Sequence, residues 1–306
     1  MGDMNYWFLI KTTFSDWNRH KATQMAAALA YFTTFSIAPL LFLSVTIAGL
    51  VFGEQTARDE VVHYAETLIG ADGAAAIQTI ISNIPQPSSL TTAVGLAALV
   101  IGATTVFGYL QDAMNTIWGV QPAPRRPDMD GRLWLVVDYL RKRFIAFAIL
   151  VGTGFLLLVS LIVSTLLAIL GAVVNMLVAD SLVPVVQFLM QLLTFVVTLG
   201  GITLLLAMAF KVLPDTRVAW RDVTPGAVIT ALLLTIGKSL IGLYLGQSSI
   251  TSVFGAAGSV LVILIWVYYS AQILFLGAEF TQVYARTYGS HARRPSEAAP
   301  DAESCN

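Results

Sequence analysis

The sequence predicts an all-α integral membrane protein: six transmembrane helices, both termini cytoplasmic, an amphipathic N-terminal helix and a helical external loop. Three observations carry this. Six apolar stretches punctuate the 306-residue chain, at residues 25–52, 92–112, 144–170, 185–210, 225–245 and 256–284. Each reaches the ~20 residues that a helix needs to cross ~30 Å of hydrocarbon. Charged residues make up 11% of the chain and hydrophobic ones 57%, where soluble domains carry about 25% charge. The basic residues alternate from loop to loop. Lys11, Arg19 and Lys21 precede the first stretch, and Arg125, Arg126, Arg132, Arg141, Lys142 and Arg143 separate the second from the third. Lys211, Arg217 and Arg221 separate the fourth from the fifth, and Arg286, Arg293 and Arg294 follow the sixth. Those loops hold 15 of the 17 Lys and Arg; the opposite loops hold only Arg58, and Lys238 falls inside the fifth stretch. Basic loops stay in the cytoplasm, which puts both termini there.

Taken in order, residues 6–21 read as a short helix. Trp7, Ile10, Phe14 and Trp17 recur at three- and four-residue steps and share a face, with Lys11, Asp16 and Arg19 elsewhere. An aromatic face beside basic residues suits a helix lying in the membrane interface; a cytoplasmic cap packed on the bundle suits it equally. The first stretch is too long for the core of a cleaved signal peptide. Residues 53–91 form a long acidic loop with helical apolar spacing at Val61, Tyr64, Ala65 and Leu68, then at Ile77, Ile80, Ile81 and Ile84. Pro85 and Pro87 end that pattern, because proline cannot continue a helix. One or two amphipathic helices over the outer mouth are expected.

Residues 119–138 are rich in proline and arginine and set the topology; their charges also suit anionic lipid headgroups. From Gly289 onward apolar periodicity is lost, which predicts disorder. One membrane domain is expected over 1–286, with a cytoplasmic arm at 1–24 and the external loop at 53–91. A disordered cytoplasmic tail follows at 287–306.

Several residues strain against a membrane. Pro39 in the first stretch removes a helical hydrogen bond and frees the carbonyl of Phe35, for which Thr34 and Ser36 are local donors. Tyr31 lies two turns before it. Gln111 and Asp112 end the second stretch, and Gln272 and Glu279 lie seven residues, about two turns, apart in the sixth. Acids at membrane depth usually face a bundle interior. Counted along the helix, however, Asp112 and Glu279 come near the inner boundary, where Lys211, Arg217 or Arg221 are available as ion-pair partners. Lys238 lies about 20 Å up a ~30 Å core. It either snorkels to the outer interface or faces a water-accessible cavity. Lys238, Gln272, Glu279, Gln111, Asp112, Tyr31 and Pro39 are therefore the residues expected to line a path.

Catalytic patterns are absent from the sequence. His20, His63 and His291 are scattered, the one cysteine is Cys305, and no phosphate-binding glycine loop occurs. No enzyme activity, metal or cofactor is expected, nor a nucleic-acid partner.

Four blocks carry a family resemblance: Ala28-Leu29-Ala30-Tyr31-Phe32 through Pro39-Leu40; Phe107-Gly108-Tyr109 through Trp118-Gly119; Leu213-Pro214-Asp215 with Trp220 through Pro225-Gly226-Ala227; and Ala278-Glu279-Phe280. In this order they resemble the bacterial YihY/virulence factor BrkB family, formerly mislabelled ribonuclease BN, over roughly residues 14–284. The resemblance implies six helices in the bacterial inner membrane and a role in envelope integrity, serum resistance or solute export; it supplies no catalytic residues. The expectation is thus an inner-membrane transporter or exporter of a small solute or lipid, without an ATPase of its own. The alternative is a non-transporting envelope scaffold. Membrane lipids are expected partners, and a homo-oligomer stays open.

Overall fold

The computed structural model describes residues 6–83, 89–120, 170–171, 183–247 and 256–290. They form seven helices of useful length: α1 (Tyr6–Arg19), α2 (Ala22–Phe52), α3 (Glu54–Ser82), α4 (Ser89–Ile117), α5 (Val183–Val212), α6 (Trp220–Gln247) and α7 (Ala256–Thr287). Five of these, α2, α4, α5, α6 and α7, are long and apolar enough to cross a membrane. They coincide with five of the six apolar stretches. The third stretch, 144–170, and the loop 119–138 lie almost wholly outside the described residues, as does the tail beyond Ser290.

The spans stand in the order α4, α2, α7, α6, α5, each packed on the next, so α7 is central and also meets α1 and α3. One buried cluster ties five helices together at a single end of the bundle. It joins Ala22 and Ala26 of α2, Met114 and Ile117 of α4, Phe210 of α5, Val223 and Ala227 of α6, and Phe275 and Ala278 of α7. These are starts of α2 and α6 but ends of α4, α5 and α7, so α2 and α6 run one way and α4, α5 and α7 the other. Lys21, Lys211, Arg217, Arg221 and Arg286 gather at this same end, called here the basic end.

Within a bilayer, apolar side chains gain little by leaving lipid for protein, so close approach of small residues drives helix pairing. The α6–α7 seam shows it. A Cβ placed on Gly226 would collide with Oγ1 of Thr281, and one placed on Gly277 would collide with Oγ1 of Thr230. Each threonine sits four residues from the glycine of its own helix and bonds that glycine's carbonyl: Thr230 to Gly226 at 2.6 Å, Thr281 to Gly277 at 2.7 Å. The two antiparallel helices therefore interlock knob to hole in both directions, with no hydroxyl left unpaired. The α2–α4 pair repeats the principle with Ser36 against Gly102 and Phe42 against Gly95.

At the other end the spans are held by α3. Arg58 donates from Nη1 to the carbonyl of Ile81 at 2.8 Å, although the two are 23 residues apart. A straight helix would separate them by about 34 Å, so α3 folds back on itself, with Gly70 and Gly73 midway between. Its two arms wedge Ala76, Ile77 and Ile81 against Val45 of α2 and Ile263 of α7, with Ile37, Leu41 and Val267 alongside. The expected helices over the outer mouth are thus one bent helix that reaches about halfway down α2. Alanine and isoleucine on the buried side make that depth accessible.

Pro39 is carried inside an unbroken α2. The local rescue expected for the carbonyl of Phe35 is not what forms. Thr34 donates to Ala30 at 2.8 Å and Ser36 to Phe32 at 3.0 Å, each four residues back.

Candidate functional site

The polar groups that the bundle encloses collect at the basic end, around α7. Glu279 is 0% exposed. Its Oε1 lies 2.7 Å from Nδ1 of His20, and its Oε2 is enclosed without a partner. His20 arrives from the two-residue turn between α1 and α2, where Lys21 adopts the left-handed conformation (φ 55°). That conformation costs a non-glycine residue roughly 1 kcal/mol, and it sends α1 back across the end of α7. One to two turns further along α7, Arg286 donates to Asp16 of α1 at 2.9 Å, and Arg19 holds the other oxygen of Asp16 at 3.1 Å. Gln282, on the same face of α7, has its Oε1 enclosed without a partner.

These contacts decide how α1 sits. Its buried residues are Leu9, Thr13 and Asp16, while Trp7 is 75% exposed and Phe8, Ile10 and Phe14 are about half exposed. The helix docks by Leu9, Thr13 and Asp16 and leaves Trp7, Ile10 and Phe14 outward, while Trp17 turns in against the core cluster. Of the two arrangements expected for α1, the cap packed on the bundle is the one these contacts form.

A second cluster clamps the α5–α6 turn. Asn115 of α4 donates to Oδ2 of Asp215 at 3.0 Å and accepts from the Asp215 backbone N–H at 2.8 Å. Gln111 adds a bond to Oδ1 at 3.3 Å. Gly119 (φ 62°) closes α4, with the Val120 N–H bonded to the Asn115 carbonyl at 2.9 Å, which holds Asn115 at the clamp. Beside it, Lys211 donates to the Val218 carbonyl at 2.7 Å and lies 5.0 Å over the ring of Trp220. Buried Asp222 accepts from the backbone N–H and the hydroxyl of Ser290, which fastens the end of α7 to the start of α6.

Of the residues expected to line a path, Glu279 and Gln111 are enclosed at this end, but in separate clusters. Gln272 is half-buried on α7, one to two turns from Glu279, and Asp112 is exposed. Tyr31 is 56% exposed, its ring against Phe32 and Phe35. Lys238 is exposed between exposed Ile236 and Leu240, while its neighbour Gly237 faces Tyr269 and Ile273 of α7. Among the described residues nothing encloses Lys238. The partner expected for Glu279 was Lys211, Arg217 or Arg221; it is His20 instead. Sequence reasoning also missed Asp16, Asn115, Asp215 and Arg286. Asp16 shares a face of α1 with Leu9 and Thr13, a period that the stronger aromatic one masks, and His20 follows in the turn. No group of three metal-ligating side chains occurs among the described residues.

The four blocks singled out in the sequence meet here in space: Leu29, Met114, Leu213, Ala227 and Ala278 belong to one buried cluster. The family model described as "Virulence factor BrkB" matches residues 13–302. The chain belongs to the virulence factor BrkB family. Its similar proteins include a UPF0761 membrane protein of Pseudoalteromonas translucida, 27% identical over 85% of this chain and 80% of the relative. One of Tolumonas auensis is 28% identical over 84% of this chain and 78% of the relative. A Pseudomonas aeruginosa relative is 26% identical over 84% of this chain but 58% of its own length. No solved structure matches the chain. BrkB-family membership makes this a multi-pass membrane protein, in agreement with its five long apolar helices.

Proposed function

We propose that this BrkB-family protein carries a small solute or a lipid across the bacterial cytoplasmic membrane, with both termini in the cytoplasm and no enzyme activity. The observation that carries the reading is Glu279: a carboxylate with 0% exposure in the central helix of a membrane bundle. Ionisable groups inside membrane bundles are costly, and they concentrate on substrate and ion paths. Support for the orientation comes from the gathering of Lys21, Lys211, Arg217, Arg221 and Arg286 at one end, which is the cytoplasmic end by the distribution of basic residues. No nucleotide-binding motif occurs in the sequence, so transport is passive, ion-coupled or driven by a partner.

Efflux from proteoliposomes, screened over compatible solutes, amino acids and fluorescent lipids, tests the function. Glu279→Gln is expected to slow efflux of the accepted compound at least tenfold. A tight vesicle that releases nothing across the whole screen would favour the envelope scaffold. For orientation, single cysteines at Ser88 and Ala123 in a Cys305→Ser background are expected to react with an impermeant reagent from opposite sides. Reaction of both from outside would overturn it.

A further inference from the structure

We propose that Glu279 is a proton-binding site, and that the bound proton holds α1 docked on α7. The argument starts from His20. Arg19 Nη2 lies 3.5 Å from His20 Nε2, at the outer limit of a hydrogen bond, and a guanidinium only donates. With Nε2 accepting that contact, a ring proton lies on Nδ1, 2.7 Å from Glu279 Oε1. So disposed, the imidazole supplies one donor to Oε1.

A bare carboxylate would then be fully enclosed with a donor at Oε1 alone, its Oε2 facing none. The other charged groups nearby are committed to one another. Asp16 of α1 is held by Arg19 and by Arg286 of α7 itself. Asp222 of α6 is engaged by Ser290, and Asp112 of α4 and Lys21 at the start of α2 are exposed. A proton taken from solvent onto Oε2 removes the enclosed charge and creates an O–H donor. The nearest turn of the same helix face presents the enclosed, partnerless Oε1 of Gln282, and residues three apart on a helix are side-chain neighbours. A proton on Oε2 that is donated to that oxygen answers both. When it leaves, the enclosed anion draws water, and the face it shares with α1 opens.

The sign follows: docking is tight at low pH and loosens as pH rises through the titration of Glu279. The test uses the intact protein in lipid nanodiscs, in a Cys305→Ser background. One cysteine is placed at Thr13, which is buried on the docked face, and in a second protein at Ser15, which is exposed on the same helix. The ratio of their alkylation rates cancels the intrinsic pH dependence of the thiol.

Between pH 6 and pH 9 the Thr13-to-Ser15 ratio is expected to rise at least fivefold. With Glu279→Gln, whose amide copies the donor of the protonated acid, it stays at its low-pH value. His20→Gln, which still donates to Oε1, keeps the rise, and Gln282→Leu moves its midpoint to lower pH. A flat ratio in the parent protein overturns the proposal. So does a rise that survives Glu279→Gln, or one that His20→Gln abolishes, since the imidazole would then be the proton carrier. If Glu279→Gln does not fold, the Gln282→Leu midpoint decides: an unmoved midpoint sinks the assignment.

Discussion

Gly277→Val is expected to prevent assembly of the bundle. The valine Cβ would meet the side chain of Thr230 far inside contact distance, and Thr230 is itself 0% exposed with its hydroxyl fixed to the Gly226 carbonyl. Overpacking a well-filled site costs about 1–3 kcal/mol when neighbours can shift. Here the opposing helix carries a second lock, Thr281 against Gly226, so neither helix can slide away without breaking the other contact. The cost should lie at or above the top of that range. The measurement is the fraction of protein recovered as a monodisperse species after detergent extraction, together with its thermal midpoint. Gly277→Ala combined with Thr230→Gly should recover much of the loss. A Gly277→Val protein as stable as its parent would refute the interlocked seam.

The second large effect concerns the α1–α7 contact. His20→Leu removes the donor to Oε1 of an enclosed carboxyl whose other oxygen already lacks one. An enclosed polar group left without a partner costs about 1–3 kcal/mol, and more where it is charged. The loss should therefore grow as pH rises and Glu279 ionises. Glu279→Met alone strands the imidazole Nδ1–H in the same way. The double variant His20→Leu/Glu279→Met leaves no stranded group, and it should regain most of the stability, as apolar replacement of both members of a buried polar pair often does. Thermal unfolding of the four proteins gives the coupling. Strict additivity of the two single losses would show that the side chains do not act as a pair.

These expectations depend on where each residue lies, and the sequence supplied only part of that. The spans were legible because a bilayer imposes one length and one composition on whatever crosses it; α2, α4, α5, α6 and α7 fall within a few residues of their apolar stretches. The two ends of the bundle were legible in the basic residues for a similar reason, since charge near a membrane is sorted by side. The wedge was harder. Its apolar spacing at Val61, Ala65, Ile77 and Ile81 is plain, but spacing is a local property, and the fold-back that brings Arg58 to Ile81 is not.

Pairing between distant segments lay beyond the sequence altogether. His20 and Glu279 are separated by 259 residues, and Asn115 and Asp215 by 100. Neither pair leaves a periodic trace, because in each a single polar residue of a helix meets a single residue of a turn. The aromatic face of α1 was a poor guide to packing: Trp7, Ile10 and Phe14 stay outward, and Leu9, Thr13 and Asp16 meet the protein. What the sequence determined alone was the place and length of five apolar helices, which a membrane's thickness dictates. What the tertiary structure decided was which small and polar side chains meet, since close approach and hydrogen-bond satisfaction are properties of pairs and are absent from any one segment.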